Sequence, residues 1–341
     1  MRVALTDTGV WGGHHHAMTQ ARSNIVVIGQ PGFYHCVTRC VRRAWLCGVD
    51  PLTGIDHSAR KAMIEARILE LGSIFAIGIY SFAVMSNHLH VVLSVEPDAA
   101  THWSMEEVVD RWLRLFPARE GDTSKRELLM KSEAAIAERR ERLTNISWFM
   151  RCLDEYVARR ANAEDEVTGR FWEGRFKCQA LDDEQALLAA MVYVDLNPVR
   201  AGIAASVESS DHTSVQKRSN ELRSAPERAN RLLLPIAGLA VLSNKEIAGR
   251  LAMSNRQYIE LVDYTGRQIK KGKRGKISET EPPALRRLGL DGDLWSRQVL
   301  GIRDGYWRVV ASAEAMMEKA AQIGQNWLKG IGFARSLAAN R

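Results

Sequence analysis

The sequence His88-Leu89-His90 places two imidazole groups two positions apart. If this segment forms a β-strand, alternate side chains share one face of the sheet. Both histidines can then bind one cation, while Leu89 points to the opposite side. Taken alone, two histidines on one strand are more often cross-strand packing or surface residues than metal ligands, so the motif needs support from other residues.

A second candidate is Tyr193, in the segment LLAAMVYVDLNPVRAG at 187–202. Tyr193 and Asn197 are four residues apart, so on a helix both side chains lie on one face. A tyrosine there can act as a nucleophile, but a buried helical tyrosine that only packs is the usual alternative. Asn197 directly precedes Pro198, a residue that favours the end of a helix.

The elements that must position these residues follow from periodicity. Strands are predicted at 33–41, 77–85 and 88–95, and the turn Ser86-Asn87 between the last two predicts an antiparallel hairpin. Helices are predicted at 57–75, 104–116, 146–163 and 183–197, a charged exposed helix or insertion at 120–142, and a strand or short hairpin at 170–181. This order favours an α+β fold, an antiparallel sheet with packed helices, over a doubly wound sheet.

Three segments, FAVMSNHLHVVLSV, FWEGRFK and YVDLNPVRAG, occur in this order across about residues 31–204. Together they resemble the IS200-like (Y1, HUH-class) transposases, and they are most similar to the REP-associated tyrosine transposases. The resemblance implies a ferredoxin-like HUH sandwich in which His88 and His90 bind a metal ion and Tyr193 is the nucleophile. It also implies that Asn197 completes the metal site. A helix-capping role for Asn197 before Pro198 is the alternative.

The resemblance implies metal-dependent nicking and rejoining of single-stranded DNA through a 5′-phosphotyrosine, in transposition or mobilisation of palindromic repeat elements. The metal would be Mg²⁺ or Mn²⁺, since two neutral imidazoles and one amide oxygen leave open positions on the ion. The DNA partner would be a hairpin or palindromic repeat, and the protein would act as a monomer or homodimer. Two alternatives remain: a domesticated, non-catalytic binder of DNA hairpins, and a metal-dependent hydrolase that forms no tyrosyl intermediate.

Basic and aromatic side chains near these motifs are candidates for DNA contact, because arginine and lysine bind phosphates and aromatic rings stack on unpaired bases. For Trp172, a place in the core is the alternative to stacking. The candidates are Arg39, Arg42, Arg43, Trp172, Arg175, Lys177 and Arg200, together with Arg267, Lys270, Lys271, Lys273 and Arg274 of the run RQIKKGKRGK. For that run, a solvated loop is the alternative to phosphate contact.

Charge and composition divide the chain. The net charge is +7, and residues 205–341 contain 23 Lys+Arg against 14 Asp+Glu, so the positive balance lies in the C-terminal part. The predicted divisions are a leader at 1–30, a transposase domain at 31–204 with a charged helical insertion around 118–145, a linker at 205–231, and a basic, mainly helical region at 232–341.

Other features of the sequence exclude several classes of protein. The longest apolar run, at 232–242, is about half of what a membrane-spanning helix needs. The N-terminus lacks a basic segment followed by an apolar stretch, so a cytoplasmic location is expected. The five cysteines match no common zinc spacing, which favours reduced structural thiols.

Overall fold

The computed structural model describes residues 25–27, 29–41, 45–121, 124–239, 251, 253–271, 281–306 and 308–339. Its strands are β1 (Gly32–Arg39), β2 (Ile77–Val84), β3 (His88–Val95), β4 (Lys177–Leu181) and β5 (Val309–Val310), in the sheet order β2-β3-β1-β4-β5. The first four strands pair antiparallel, and β5 pairs parallel with β4. The predicted α+β fold is confirmed, but the sheet is mixed rather than wholly antiparallel. Two residues are too few for β5 to leave a periodic signal in the sequence.

Helices flank the sheet along the whole described chain. They are α1 (Ala59–Ile74), α2 (Pro97–Thr101), α3 (Met105–Leu115), α4 (Ser124–Met130), α5 (Glu133–Leu143), α6 (Ile146–Glu164), α7 (Glu184–Asp195), α8 (Asn197–Arg200), α9 (Ser214–Ser224), α10 (Asn255–Lys271), α11 (Pro283–Arg287), α12 (Gly292–Asp304), α13 (Ala313–Gln322) and α14 (Ile331–Ala338), with a 3₁₀ helix at Pro226–Arg228. No helix formed by the described residues is long and apolar enough to cross a membrane.

The strands place alternate residues on two faces, which we name after the helices that cover them. On the α1 face, Leu89, Val91 and Leu93 of β3 join an apolar cluster with residues of α1, α3, α5 and α6. On the α7 face, Val92 joins a second cluster with residues of α7, α10 and α12. The C-terminal region therefore shares a hydrophobic core with the sheet.

The helix predicted at 183–197 is divided in the structure. Asp183 caps α7, its side chain accepting a hydrogen bond from the Ala186 amide at 2.7 Å. α7 ends at Asp195, and the one-turn helix α8 begins at Asn197. Pro198 has no amide hydrogen to donate to the preceding turn, but it is tolerated in the first turn of a new helix.

The segment predicted as a linker, 205–231, contains α9, whose residues Ser214, Val215 and Arg218 are buried. Polar groups of α9 are instead paired inside the protein. The Ser214 hydroxyl lies 2.9 Å from that of Ser81, and Arg218 donates to the carbonyl oxygen of Tyr80 at 3.1 Å. The charged stretch before α6 forms α4 and α5, and the five cysteines are buried thiols, none of which forms a disulfide bond.

Candidate functional site

The α7 face brings together the two histidines and the tyrosine that the sequence singled out. His88 and His90 project from β3 with ring centroids 4.8 Å apart. The ring of Tyr193 lies edge-on to that of His90, with centroids 5.9 Å apart. His90 and Tyr193 are 4% and 5% exposed, and His88, at the start of the strand, is only partly buried. Two imidazoles and a phenol thus lie side by side at one end of the sheet.

Helix α7 is held rigidly where it carries the tyrosine, because every residue from Ala186 to Asp195 is buried. Asp195 has three hydrogen-bond donors: the hydroxyl of Ser214, the amide of Val215 at 3.0 Å and the hydroxyl of Tyr258 at 2.5 Å. Burial raises the pKa of the Asp195 carboxyl to about 6, and these hydrogen bonds act in the opposite direction. The C-terminal region therefore anchors the turn that contains the tyrosine.

Two further polar residues at this site, His35 and Gln179, were not anticipated from the sequence. His35 Nε2 lies 2.9 Å from His90 Nδ1, and His35 Nδ1 lies 2.8 Å from Gln179 Oε1. His35 also packs edge-on against Tyr193, with ring centroids 6.0 Å apart. Alternation in β1 does put His35 on one face, but its neighbours depend on the pairing of β1 with β3 and β4, which no local motif specifies.

Burial disfavours the protonated, charged form of both His35 and His90. Burial lowers the pKa of His35 to about 4, although its hydrogen bond to Gln179 acts in the other direction. Burial also places the pKa of His90 well below its ordinary value, and the charges of His88, His35 and Arg200 lower it further. Neutral imidazole is the form that binds metal ions, so this environment keeps His90 ready to act as a ligand.

Three buried polar atoms close to Tyr193 have no hydrogen-bond partner among the described residues: His90 Nε2, Asn197 Nδ2 and Arg200 Nη1. The guanidinium carbon of Arg200 lies 4.6 Å from the centroid of the Tyr193 ring. Buried polar groups are normally paired, so this concentration indicates a place for a ligand. The amide and guanidinium nitrogens can donate to an anion, and an unprotonated imidazole nitrogen can bind a cation.

The residues that could hold a metal ion are His88 and His90. No group of three or more His, Cys, Asp or Glu side chains suited to a metal occurs in the part of the chain that the structure describes. Further ligands would therefore come from the side-chain oxygen of Asn197, from water or from substrate oxygens. The unpartnered Nε2 of His90 beside a second imidazole fits an ion with few protein ligands and open positions.

The residues predicted to contact DNA are spread over different environments. Arg39 lies opposite His88 in the pairing of β1 with β3, and its guanidinium is 3.8 Å from the carboxylate of Glu173. Arg175 and Lys177 are exposed at the start of β4. In the sheet register, Arg39 pairs with His88, and Lys177 pairs with Val37, the partner of His90.

The environment of Trp172 does not fit the predicted role of stacking on a DNA base. It is 9% exposed, packs edge-on against Phe171 and donates its indole hydrogen to the Asp154 carbonyl at 2.8 Å. Its ring is therefore part of the core, beside that of Phe171, which is also buried.

The C-terminal basic run begins beside the tyrosine helix. A Cβ on Gly266 would lie 2.9 Å from Leu196, the residue before Asn197, so α10 approaches this turn closely. Arg267 is about half exposed and pairs with Asp263 at 2.6 Å. Arg42, Arg43, Lys273, Arg274 and the side chains of Lys270 and Lys271 lie outside the described residues.

Comparisons with known proteins add little to this geometry. No family model matches the chain, and no curated protein matches it. Among solved structures, the chain is similar to a REP-associated tyrosine transposase bound to a REP hairpin, at 14% identity, over 62% of this chain and 93% of that chain, with a TM-score of 0.31. So weak a similarity supports no argument about function, and the proposals below rest on the residues of this chain.

Proposed function

We propose that this protein nicks and rejoins single-stranded DNA through Tyr193, with a divalent metal ion held by His88 and His90. One observation carries the proposal: a buried, unpartnered imidazole nitrogen of His90 lies beside a second imidazole and against the ring of a tyrosine. Metal ligands beside a phenol suit phosphoryl transfer, which needs a nucleophile together with neutralisation of phosphate charge. Two of the three sequence motifs that resemble Y1 transposases contain these three residues.

The proposed reaction conserves a phosphodiester bond at each step. The phenol oxygen of Tyr193 attacks phosphorus, the bond from phosphorus to the 3′ oxygen breaks, and the phenol proton ends on that oxygen. The products are a 5′-phosphotyrosine and a free 3′-OH. Attack by a 3′-OH of another strand reverses the step and restores the phenol, so rejoining needs no nucleotide cofactor.

The residues around Tyr193 have separate parts in this proposal. Bound Mg²⁺ or Mn²⁺ would act as a Lewis acid on the phosphate oxygens. Arg200 stacks on the phenol ring with one nitrogen free to donate to a non-bridging oxygen. We assign to Asn197 the third protein ligand, through its side-chain oxygen.

Strand binding is proposed for the basic side chains at the edge of the site. Arg39 pairs across the sheet with His88, so its guanidinium can contact a phosphate next to the one under attack. We propose that Arg175 and Lys177 bind neighbouring phosphates of the same strand. Arg267, at the start of the C-terminal basic run, is proposed to add a further phosphate contact. A hairpin or palindromic repeat is the substrate we propose, from the resemblance to repeat-associated transposases.

The test uses the full chain and an end-labelled single-stranded hairpin oligonucleotide with Mn²⁺ or Mg²⁺. We expect a covalent adduct on a denaturing gel that is absent from Tyr193→Phe and from His88→Ala. Tyr156→Phe is the matched control, because Tyr156 lies on α6 across the sheet, against Arg67 and Arg160. It should form the adduct as the wild type does.

The outcomes separate the proposal from its two alternatives. Cleavage that survives in Tyr193→Phe would contradict the tyrosyl mechanism and favour a metal-dependent hydrolase. Retention of the hairpin in a mobility-shift assay, with neither adduct nor cleavage under any metal, would favour a non-catalytic binding protein.

A further inference from the structure

A row of hydrogen bonds runs from the C-terminal region to the candidate metal ligand His90. Gln179 Nε2 lies 3.2 Å from the carbonyl oxygen of Ile302, and Gln179 Oε1 lies 2.8 Å from His35 Nδ1. His35 Nε2 in turn lies 2.9 Å from His90 Nδ1. The function proposed above uses only the last nitrogen of this row, His90 Nε2.

The position of every hydrogen in the row follows from the carbonyl group of Ile302, at which the row begins. A carbonyl oxygen only accepts, so Gln179 must direct its NH₂ group at Ile302 and its oxygen at His35. That oxygen also only accepts, so the hydrogen lies on His35 Nδ1. A neutral imidazole carries one N–H, and therefore His35 Nε2 accepts a hydrogen bond from His90 Nδ1. His90 is left with its single hydrogen on Nδ1 and a bare lone pair on Nε2.

This assignment of hydrogens requires that the rings of His35 and His90 are both neutral. The surroundings of the two rings favour the neutral form. His35 is 3% exposed and His90 is 4% exposed. The partners of their ring nitrogens in the described structure are Gln179 and each other, and no carboxylate is among them. A buried imidazolium without an opposite charge is strongly disfavoured, so each ring carries one hydrogen.

We propose that the carbonyl of Ile302, acting through Gln179 and His35, fixes His90 in the tautomer whose Nε2 lone pair faces the candidate site. His35 and Gln179 are then positioning residues, and the C-terminal region determines the state of a metal ligand without touching the substrate. The proposal rests on the proposed role of His90, although its tautomer can be observed without any metal.

The fold supports each contact of the row. His35 and Gln179 are direct partners in the pairing of β1 with β4, so their side chains share one face of the sheet. Ile302 lies in the last turn of α12, where carbonyl groups lose their partners within the helix. The amide of Tyr306, four residues on, bonds to Gly301 at 3.1 Å, and β5 then pairs with β4.

The opposite tautomer is disfavoured because it breaks the row. Moving the hydrogen of His90 to Nε2 leaves Nδ1 facing the unprotonated Nε2 of His35, so two lone pairs would meet. Restoring a hydrogen bond there requires His35 to carry its hydrogen on Nε2, which leaves its Nδ1 facing Gln179 Oε1. Rotating the Gln179 amide to correct this would turn its oxygen towards the carbonyl of Ile302.

The test measures histidine tautomers and metal affinity separately in the full chain. Long-range ¹H–¹⁵N spectra of the metal-free, histidine-labelled protein should show His35 and His90 with hydrogen on Nδ1. In Gln179→Leu, both residues should shift towards mixed tautomers. Calorimetric titration with Mn²⁺ should then show binding that is weaker by about 10- to 100-fold, the usual cost of losing a group that orients a ligand.

Gln185→Leu is the matched control. The Gln185 side chain also donates to a carbonyl of the C-terminal region, that of Leu288 at 3.3 Å, but it lies at the start of α7, outside the row of hydrogen bonds that ends at His90. This variant should keep both wild-type tautomers and the wild-type Mn²⁺ affinity.

Two results overturn the proposal. One is a wild-type His90 with its hydrogen on Nε2, a measurement that needs no variant to fold. The other is a folded Gln179→Leu protein with unchanged tautomers and unchanged Mn²⁺ affinity. If the tautomers behave as expected but the wild type binds no Mn²⁺, the proposed metal site fails and the tautomer relay stands.

Discussion

On the α1 face, β3 presents Leu89, Val91 and Leu93 to an apolar cluster, whereas on the α7 face the same strand presents His88 and His90. The α1 face is covered by helices from the first half of the chain. The α7 face is covered by α7 and by helices of the C-terminal region. Among the described residues, the α7 face gathers several buried polar side chains around one tyrosine.

The difference between the faces concerns what holds each together. The α1 face is stabilised by the burial of apolar area. This contribution to stability does not depend on the direction in which individual groups point. On the α7 face, Asp195, His35 and Gln179 need partners in defined directions, and the C-terminal region supplies several of them. Truncations on the α1 face should therefore reduce stability alone, and those on the α7 face should also alter chemistry.

The largest loss of stability is expected for Phe149→Ala on the α1 face. Phe149 is fully buried and packs edge-on against Phe75, with ring centroids 5.5 Å apart. Removing the ring should lower the free energy of unfolding by about 3–5 kcal/mol in urea titrations. The Mn²⁺ affinity of the folded fraction should not change. A large fall in that affinity would show that the two faces are not independent.

A somewhat smaller loss is expected for Asp195→Ala on the α7 face. The substitution leaves the hydroxyls of Tyr258 and Ser214 without their acceptor, at a cost of about 2–4 kcal/mol in the free energy of unfolding. Asp195→Asn keeps an acceptor oxygen and should lose less. Adduct formation should fall in the alanine variant even where it is fully folded, because the turn that carries Tyr193 loses its anchor. Equal stability of the two variants would argue against this network.

Sequence periodicity was sufficient to predict the elements that carry the candidate site. Alternation in β3 put His88 and His90 on one face, and helical spacing put Tyr193 on a helix, because both patterns are local. The contacts of His35 with Gln179, and of Asp195 with Ser214 and Tyr258, join segments far apart in the chain. They depend on strand register and helix docking, for which the sequence contains no local signal.

Composition was misleading where polar groups are buried. Ser214 and Arg218 belong to the segment predicted as a linker, yet both are buried and hydrogen-bonded. For Trp172 the sequence left stacking and a place in the core open, and the structure has it in the core, where its indole hydrogen bonds to a backbone carbonyl. Whether a polar or amphipathic side chain is inside depends on partners that appear only after folding.

Arg200→Met tests whether the chemistry of the α7 face can be changed without a cost in stability. Methionine keeps contact with the Tyr193 ring but removes the donor to the phosphate. We expect the cleavage rate to fall on the order of 100-fold, which corresponds to about 2.7 kcal/mol of transition-state stabilisation. Arg200→Lys should recover part of the rate, since it restores charge without the planar group. Unaltered cleavage by Arg200→Met would remove Arg200 from the proposed site.

The smallest effect is expected at the outer edge of the α7 face, where Arg287 of α11 forms two hydrogen bonds with Glu184 of α7, at 2.8 and 3.1 Å. Both side chains are about one third exposed, so water and salt weaken their attraction. Glu184→Gln should lower the free energy of unfolding by about 0.5–1 kcal/mol, including the lost interaction with the helix N-terminus. The difference from wild type should shrink in about 1 M salt, where screening is nearly complete.

Glu221→Gln, which breaks the exposed pair of Glu221 with Arg228, is the control for a surface ion pair outside this face. If the free energy of unfolding falls several times more in Glu184→Gln than in Glu221→Gln, the docking of α11 depends on directed polar contacts. It would then resemble the buried centre of the α7 face.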